Sequence, residues 1–243
     1  MATVKKKIKA FFKYVWTLFK ASVPSGMMYC CAGLVLMMLS MRGSTLEWNA
    51  KAITWTVVCN VVVIGYNFLM AWASGTMHYE MLVSGNVKRM SMNEYGEGLK
   101  MSSHKEMEEY RVWKGFAIGG FMALMPLVFG ILLGVNQGNI HTENAGSGMA
   151  WLTLLSFVFS GWASIPFYIM NSCGIYVSYF WVCPFALVPI AITGAGYIAG
   201  AYAKRNKNMR EQLIAQRAAE AEANRPKKIN YGGLPGTKPK KKK

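Results

Sequence analysis

Residues 113–135 read WKGFAIGGFMALMPLVFGILLGV, and this stretch decides the fold class. After the lysine at its second position it carries no charged side chain, and no polar stripe recurs with the helical period. A helix rises about 1.5 Å per residue, so one of this length would cross the roughly 30 Å hydrocarbon core of a bilayer. The segment therefore predicts a transmembrane helix and not the core helix of a soluble protein.

Further apolar blocks of similar character occupy approximately residues 27–41, 52–74, 150–170 and 175–203. Of the 243 residues 53% are hydrophobic, and these residues are concentrated in the blocks. The sequence therefore predicts an all-α, polytopic membrane protein with four to five transmembrane helices. We also expect amphipathic helices at both termini.

The charge pattern divides the chain into three predicted regions. Residues 1–22 combine lysines with aromatic and aliphatic side chains, which is typical of a basic amphipathic helix at the membrane interface. We expect Pro24 to end this helix. Residues 23–203 would form the membrane domain, with a polar cytoplasmic loop over residues 75–112. Residues 204–243 would form a cytoplasmic helix followed by a disordered lysine-rich tail.

The positive-inside rule raises a problem of parity. The net charge is +16, and lysines crowd both ends of the chain, whereas residues 136–149 contain no Lys or Arg. Both termini and the loop 75–112 are thus predicted to be cytoplasmic, and residues 136–149 exterior. Two ordinary spans after residue 149 would leave the tail outside. Either one segment between residues 150 and 203 is re-entrant, or one charge rule fails. We expect the irregular part in the proline-containing region 175–203 or its approach.

The lysine-rich tail is the strongest functional feature of the sequence. Its candidate contact residues for a polyanion or partner are Lys227, Lys228, Tyr231, Lys238, Lys240, Lys241, Lys242 and Lys243. A mobile polycation with one aromatic ring suits anionic lipid headgroups, ribosomal RNA or a membrane protein complex. The alternative is a solvated tail with no partner beyond the lipid surface.

A second set of polar residues lies inside the apolar blocks. Asn60 and Asn67 are seven residues apart and share a helix face, and Ser156, Ser160 and Ser164 recur every four residues. Such amides and hydroxyls either hydrogen-bond between packed helices or line a path for an uncharged solute.

Chemistry finds little support in the sequence. The apolar cores hold no acidic, basic or histidine side chain of the kind that marks proton relays and ion paths. His104 and Glu108 could share a helix face and bind a metal, but ion-paired solvated helices explain the same residues. We therefore predict no catalytic, metal or cofactor site, and the balance is against an enzyme.

These observations favour an integral membrane scaffold or accessory subunit that presents basic cytoplasmic elements to a partner. The alternative is a small transporter or channel with an uncharged polar path between its helices. The expected location is the cytoplasmic membrane, with both termini in the cytoplasm.

Overall fold

The structure is a computed structural model that describes residues 2–42, 45–46, 49–95, 109–140 and 147–224. Its helices are α1 (Ala2–Ser40), α2 (Ala50–Tyr95), α3 (Trp113–Val135), α4 (Gln137–Ile140), α5 (Ser147–Ser172), α6 (Val182–Ala186) and α7 (Val188–Ala223), with a 3₁₀ turn at Tyr179–Trp181 before α6. Two-residue strands β1 (Met41–Arg42) and β2 (Thr45–Leu46) form an antiparallel pair. The prediction of an all-α protein is confirmed.

Five helical segments are long and apolar enough to cross a membrane. They are Ile8–Ser40, Ala50–Val87, Trp113–Val135, Gly148–Ser172 and Tyr179–Ala223. The chain is therefore a polytopic membrane protein, as predicted.

Contacts between helix ends define two ends of the bundle. At one end the ring of Tyr14 on α1 lies 5.6 Å from that of Trp113 on α3, and Nδ1 of His78 on α2 lies 2.8 Å from the Tyr197 hydroxyl on α7. We call this the basic end. At the opposite end Leu36 of α1 packs in a cluster with Trp55 of α2. Because α1 and α3 begin at the basic end, while α2 and α7 run toward it, neighbouring contacts give an up-and-down bundle.

Helix α5 does not cross this bundle in a straight line. The ring centroids of Phe157 and Tyr168 are 5.0 Å apart, although eleven residues of a straight helix rise about 16.5 Å. Leu152 near the start of α5 and Phe167 near its end pack against the same cluster around Tyr179. Helix α5 is thus sharply bent, and both of its ends lie at the opposite end of the bundle.

This bend resolves the parity problem with one re-entrant segment between residues 150 and 203, as one of the two alternatives required. The irregular part was expected in region 175–203 or its approach, and that placement is wrong for the main bend, which lies in α5. Pro166 is inside α5 and supplies a local cause, because proline cannot donate the helical hydrogen bond to the carbonyl four residues earlier. Region 175–203 is irregular only up to Leu187, before α7 begins.

A glycine contact fixes the bent helix against α1. A Cβ atom added to Gly33 would lie 2.9 Å from the Cα atom of Gly161 and 2.9 Å from the carbonyl oxygen of Phe157. Both atoms belong to the backbone of α5, which cannot move aside as a flexible side chain can. The two helices can therefore approach this closely only because residue 33 has no side chain.

The predicted helix break at Pro24 is wrong. Helix α1 continues from Ala2 to Ser40 with Pro24 inside it, so the expected boundary after residue 22 is not a helix end. The Ser22 hydroxyl donates to the Phe19 carbonyl at 2.7 Å in the turn before the proline. Serine hydroxyls and packing against neighbouring helices allow proline inside membrane helices, where the backbone has no water to which it can bond.

The polar segment 75–112 is a loop only in part. Helix α2 continues to Tyr95, so residues 75–95 are helical. Tight packing on α7 supports this extension, since a Cβ atom added to Gly75 would lie 2.1 Å from the Tyr197 carbonyl oxygen. Glu80 also forms an ion pair with Lys204. The absence of proline from residues 75–95 lets the helix outlast its apolar span.

Two compact units divide the chain, Met1–Lys204 and Arg205–Lys243. The first contains the bundle. In the second, the described residues 205–224 carry mostly exposed side chains on the final turns of α7.

Candidate functional site

A buried amide joins three helices inside the first unit. Asn67 on α2 is 1% exposed, and its Nδ2 atom donates to the Tyr29 hydroxyl at 3.2 Å and to Thr193 Oγ1 at 3.1 Å. The Thr193 hydroxyl lies 3.2 Å from Asn67 Oδ1 and 2.6 Å from the Pro189 carbonyl oxygen, so α7 is tied to α2. The amide therefore links α1, α2 and α7 through groups that have no other place in an apolar interior.

A small cleft lies beside this amide. Its lining includes Ser25, Ser74, Met122 and Tyr197 as well as Asn67. Its volume is about 20 Å³, which is room for a single water molecule. The polar groups of the cleft could hold one such water, but the space is too small for a larger solute.

Asn60 serves a backbone group of α5. Its Nδ2 atom donates to the Thr56 carbonyl at 2.8 Å and to the Trp162 carbonyl at 3.3 Å. Trp162 is four residues before Pro166, so its carbonyl is the one that the proline leaves without a helical donor. The amide of α2 thus replaces the hydrogen bond that the bend in α5 removes.

The three serines of α5 are enclosed. Ser156, Ser160 and Ser164 are each 0% exposed. The Ser156 and Ser160 hydroxyls donate to the carbonyls of Leu152 and Ser156 at 2.7 and 2.8 Å, and Ser160 Oγ lies 3.4 Å from Ser164 Oγ. Their burial and bonds within the helix support the packing interpretation more than the solute path.

The tail residues predicted to contact a partner all lie outside the described part of the chain. The same holds for His104 and Glu108, so the structure says nothing about them. Within the described residues, no group of three His, Cys, Asp or Glu side chains could hold a metal ion.

The basic end contains a buried cluster that the sequence did not indicate. Lys114 is 1% exposed, and its Nζ atom donates to the carbonyl of Glu109, which is itself 7% exposed. The same Nζ atom lies 5.6 Å from the centre of the Tyr14 ring, a cation–π distance. A lysine buried in this way needs close partners, because an unpaired buried charge is costly. The ammonium group holds α1 and the start of α3 together.

Aromatic rings extend this cluster to α2 and α7. Tyr197 is 0% exposed, and its ring stacks on that of Tyr110 with centroids 5.2 Å apart. The Tyr110 amide donates to the His78 carbonyl at 2.9 Å. Burial raises the pKa of the Tyr110 phenol, and the neighbouring Tyr202 raises it further, so the group remains neutral near pH 7. The buried cluster therefore ties the segment before α3 to both helices.

Sequence reasoning missed the buried cluster for a clear reason. The signal was present in Lys114, a lysine one residue inside an apolar block, but a lysine there is usually an exposed interfacial residue. Its burial depends on Tyr14 and Glu109, whose proximity comes from tertiary packing. Neither helical period nor local spacing connects these residues.

Comparisons with known proteins add no assignment. No protein-family model matches the chain, and neither a curated protein nor a solved structure matches it.

Proposed function

We propose that this chain is a membrane-embedded scaffold or accessory subunit whose basic end presents charged elements to a partner. The observation that carries the proposal is the buried cluster around Lys114, which joins the ends of α1, α2, α3 and α7. Such a cluster gives the basic end fixed geometry. A partner that binds there would meet a preorganised surface and would order fewer groups on binding.

The charge distribution supports a cytoplasmic position for this end. Exposed Lys9, Lys13 and Arg111 lie on the elements that form it, and the lysine-rich tail follows α7 in sequence. Residues 136–149, which contain no Lys or Arg, follow α3 at the other end. The positive-inside rule then favours a cytoplasmic basic end in the cytoplasmic membrane. The partner could be a protein complex, anionic lipid or RNA.

The transporter or channel alternative has weaker support. The polar residues that could line a path are engaged in hydrogen bonds, and the cleft beside Asn67 has room for one water. Small open pathways need polar groups that face water or the solute. The described part of the bundle offers these groups to its own helices instead.

Purification in mild detergent after chemical cross-linking in cells tests the proposal. We expect a stoichiometric partner that is lost when Lys207, Arg210 and Arg217 are replaced by glutamine together. The matched control replaces Arg42 and Lys51, which precede or begin α2 away from the basic end, and should retain the partner. A chain that purifies alone in both variants and in the unchanged form, and that conducts a solute in proteoliposomes, would instead establish the transporter reading.

A further inference from the structure

The first turns of α1 carry one continuous basic face. Lys9, Lys13, Trp16 and Lys20 are spaced by four, three and four residues. At 100° per residue these positions fall within an arc of about 60° on the helix. We call these four residues the lysine face.

The lysine face points away from the bundle. All four of its side chains are exposed, and Trp16 is 56% exposed. The opposite side of the same turns is buried, with Leu18 at 6% and Ser22 at 4% exposure. Since the bundle covers only that opposite side, the lysine face is turned toward the surroundings of the protein.

Aromatic contacts place this face at the boundary between lipid and water. Trp16 stacks on Phe19 with ring centroids 5.4 Å apart, and exposed Trp113 of α3 lies at the same end of the bundle. Tryptophan is enriched at this boundary because its ring is apolar and its N–H is polar. Lys20 Nζ lies 5.5 Å from the centre of the Trp16 ring, although Lys20 is one turn deeper in the helix. The lysine thus reaches back toward the headgroup level, as snorkelling lysines do.

The neighbours of the lysine face distinguish lipid from other polyanions. Phe12 and Phe19 flank it and are 65% and 42% exposed. RNA or an acidic protein surface in water would neutralise the lysines but leave these rings uncovered. A bilayer covers the rings with acyl chains and places phosphate groups beside the ammonium groups, so both kinds of side chain are satisfied together.

We propose that the lysine face binds the phosphate groups of anionic phospholipids in the leaflet at the basic end of the bundle. The inference deepens the proposed function and rests on it, because it names the partner of part of the basic end. It differs from the sequence expectation of a separate interfacial helix. The residues belong to a transmembrane helix and hold lipid at its side.

Lipid selectivity of the purified, full-length chain in phosphatidylcholine bilayers tests this assignment. The probe is spin-labelled phosphatidylglycerol, with spin-labelled phosphatidylcholine as reference, and the motionally restricted EPR component gives the relative association constant. One lysine near an anionic headgroup is worth roughly a fivefold preference. We expect the unchanged chain to prefer phosphatidylglycerol by at least about fivefold, and the preference to weaken in ~0.5 M salt.

Replacing Lys9, Lys13 and Lys20 by glutamine should reduce this preference by at least about fivefold. The matched control removes the same charge from α7 by replacing Lys207, Arg210 and Arg217, and should keep the preference. All of these side chains are exposed, so neither variant removes a packing contact. Circular dichroism and the thermal midpoint confirm that both variants remain folded.

Two results would overturn the inference. One is a lysine-face variant that keeps the full lipid preference, which would assign the face to a protein or RNA. The other is a control variant that loses as much, which would show a general effect of net charge. Because the bilayer contains only this protein and lipid, either result leaves the partner test of the proposed function unaffected.

Discussion

Replacement of Asn67 by alanine should destabilise the bundle more than the same replacement at Asn60. Asn67 is 1% exposed and makes hydrogen bonds to Tyr29 on α1 and Thr193 on α7 at 3.2 and 3.1 Å. Asn60 is only partly buried and makes one bond to another helix, at 3.3 Å. The two variants remove the same atoms from the same helix, so Asn60→Ala is a matched control.

Hydrogen bonds between membrane helices contribute about 0.6 kcal/mol on average and up to about 1.7 kcal/mol. Loss of two such bonds predicts a decrease of about 1–3 kcal/mol in the free energy of unfolding for Asn67→Ala. Asn60→Ala should cost at most about 1 kcal/mol, because one long bond is lost. Equilibrium unfolding in mixed micelles with increasing SDS, followed by circular dichroism, measures both values.

A double-mutant cycle with Thr193→Val isolates the interaction between α2 and α7. Valine keeps the shape of threonine but removes the hydroxyl that contacts Asn67. The two residues are in contact, so we expect a coupling energy of about 0.5–1.5 kcal/mol. Equal costs for the two asparagine variants, or strictly additive effects of Asn67→Ala and Thr193→Val, would refute the structural reasoning.

Three further outcomes are expected. Gly33→Ala should cost about 1–3 kcal/mol because its methyl group meets the backbone of α5. Gly26→Ala in the same helix meets nothing within 4 Å and should be neutral or stabilising, and the same SDS titration compares them. Spin labels at residues 151 and 172 should lie well below the roughly 32 Å of a straight helix, as measured by double electron–electron resonance; a distance near that value would contradict the bend in α5. A peptide of residues 225–243 should bind anionic vesicles at low salt and release them near ~0.5 M salt, and binding that ignores salt would point to a structured epitope.

The apolar blocks were sufficient to predict the membrane fold. Their length and lack of charge leave a helix as the simplest backbone that satisfies its own hydrogen bonds in lipid. The charge pattern also required an irregular segment after residue 149, because the tail and residues 136–149 had opposite preferences. Its place in α5 could not be predicted, since the strongest local signals were the prolines of the following region.

Helix ends were predicted less well than helix cores. Pro24 was expected to end a helix, but neighbouring helices support the chain through it. Residues 75–95 were expected to be largely a loop because they are polar, but polarity and helical structure are compatible. In both cases packing against other helices outweighed a local preference.

The candidate site divides in the same way. The sequence identified Asn67 and Asn60 as polar residues in apolar helices, where an unsatisfied amide is costly and a partner is therefore expected. It could not name those partners. Asn67 meets Thr193 across 126 positions of the chain, and Asn60 meets the carbonyl of Trp162 across 102.

The sequence by itself determined that the chain is a helical membrane protein with basic ends, because span length, hydropathy and net charge are local properties. Only the tertiary structure decided that α5 bends back, that Lys114 is buried beside Tyr14, and that the lysine face remains uncovered. Each of these depends on which surfaces of distant helices meet. The energy of such contacts belongs to pairs of residues, and no single segment of the sequence contains both members of a pair.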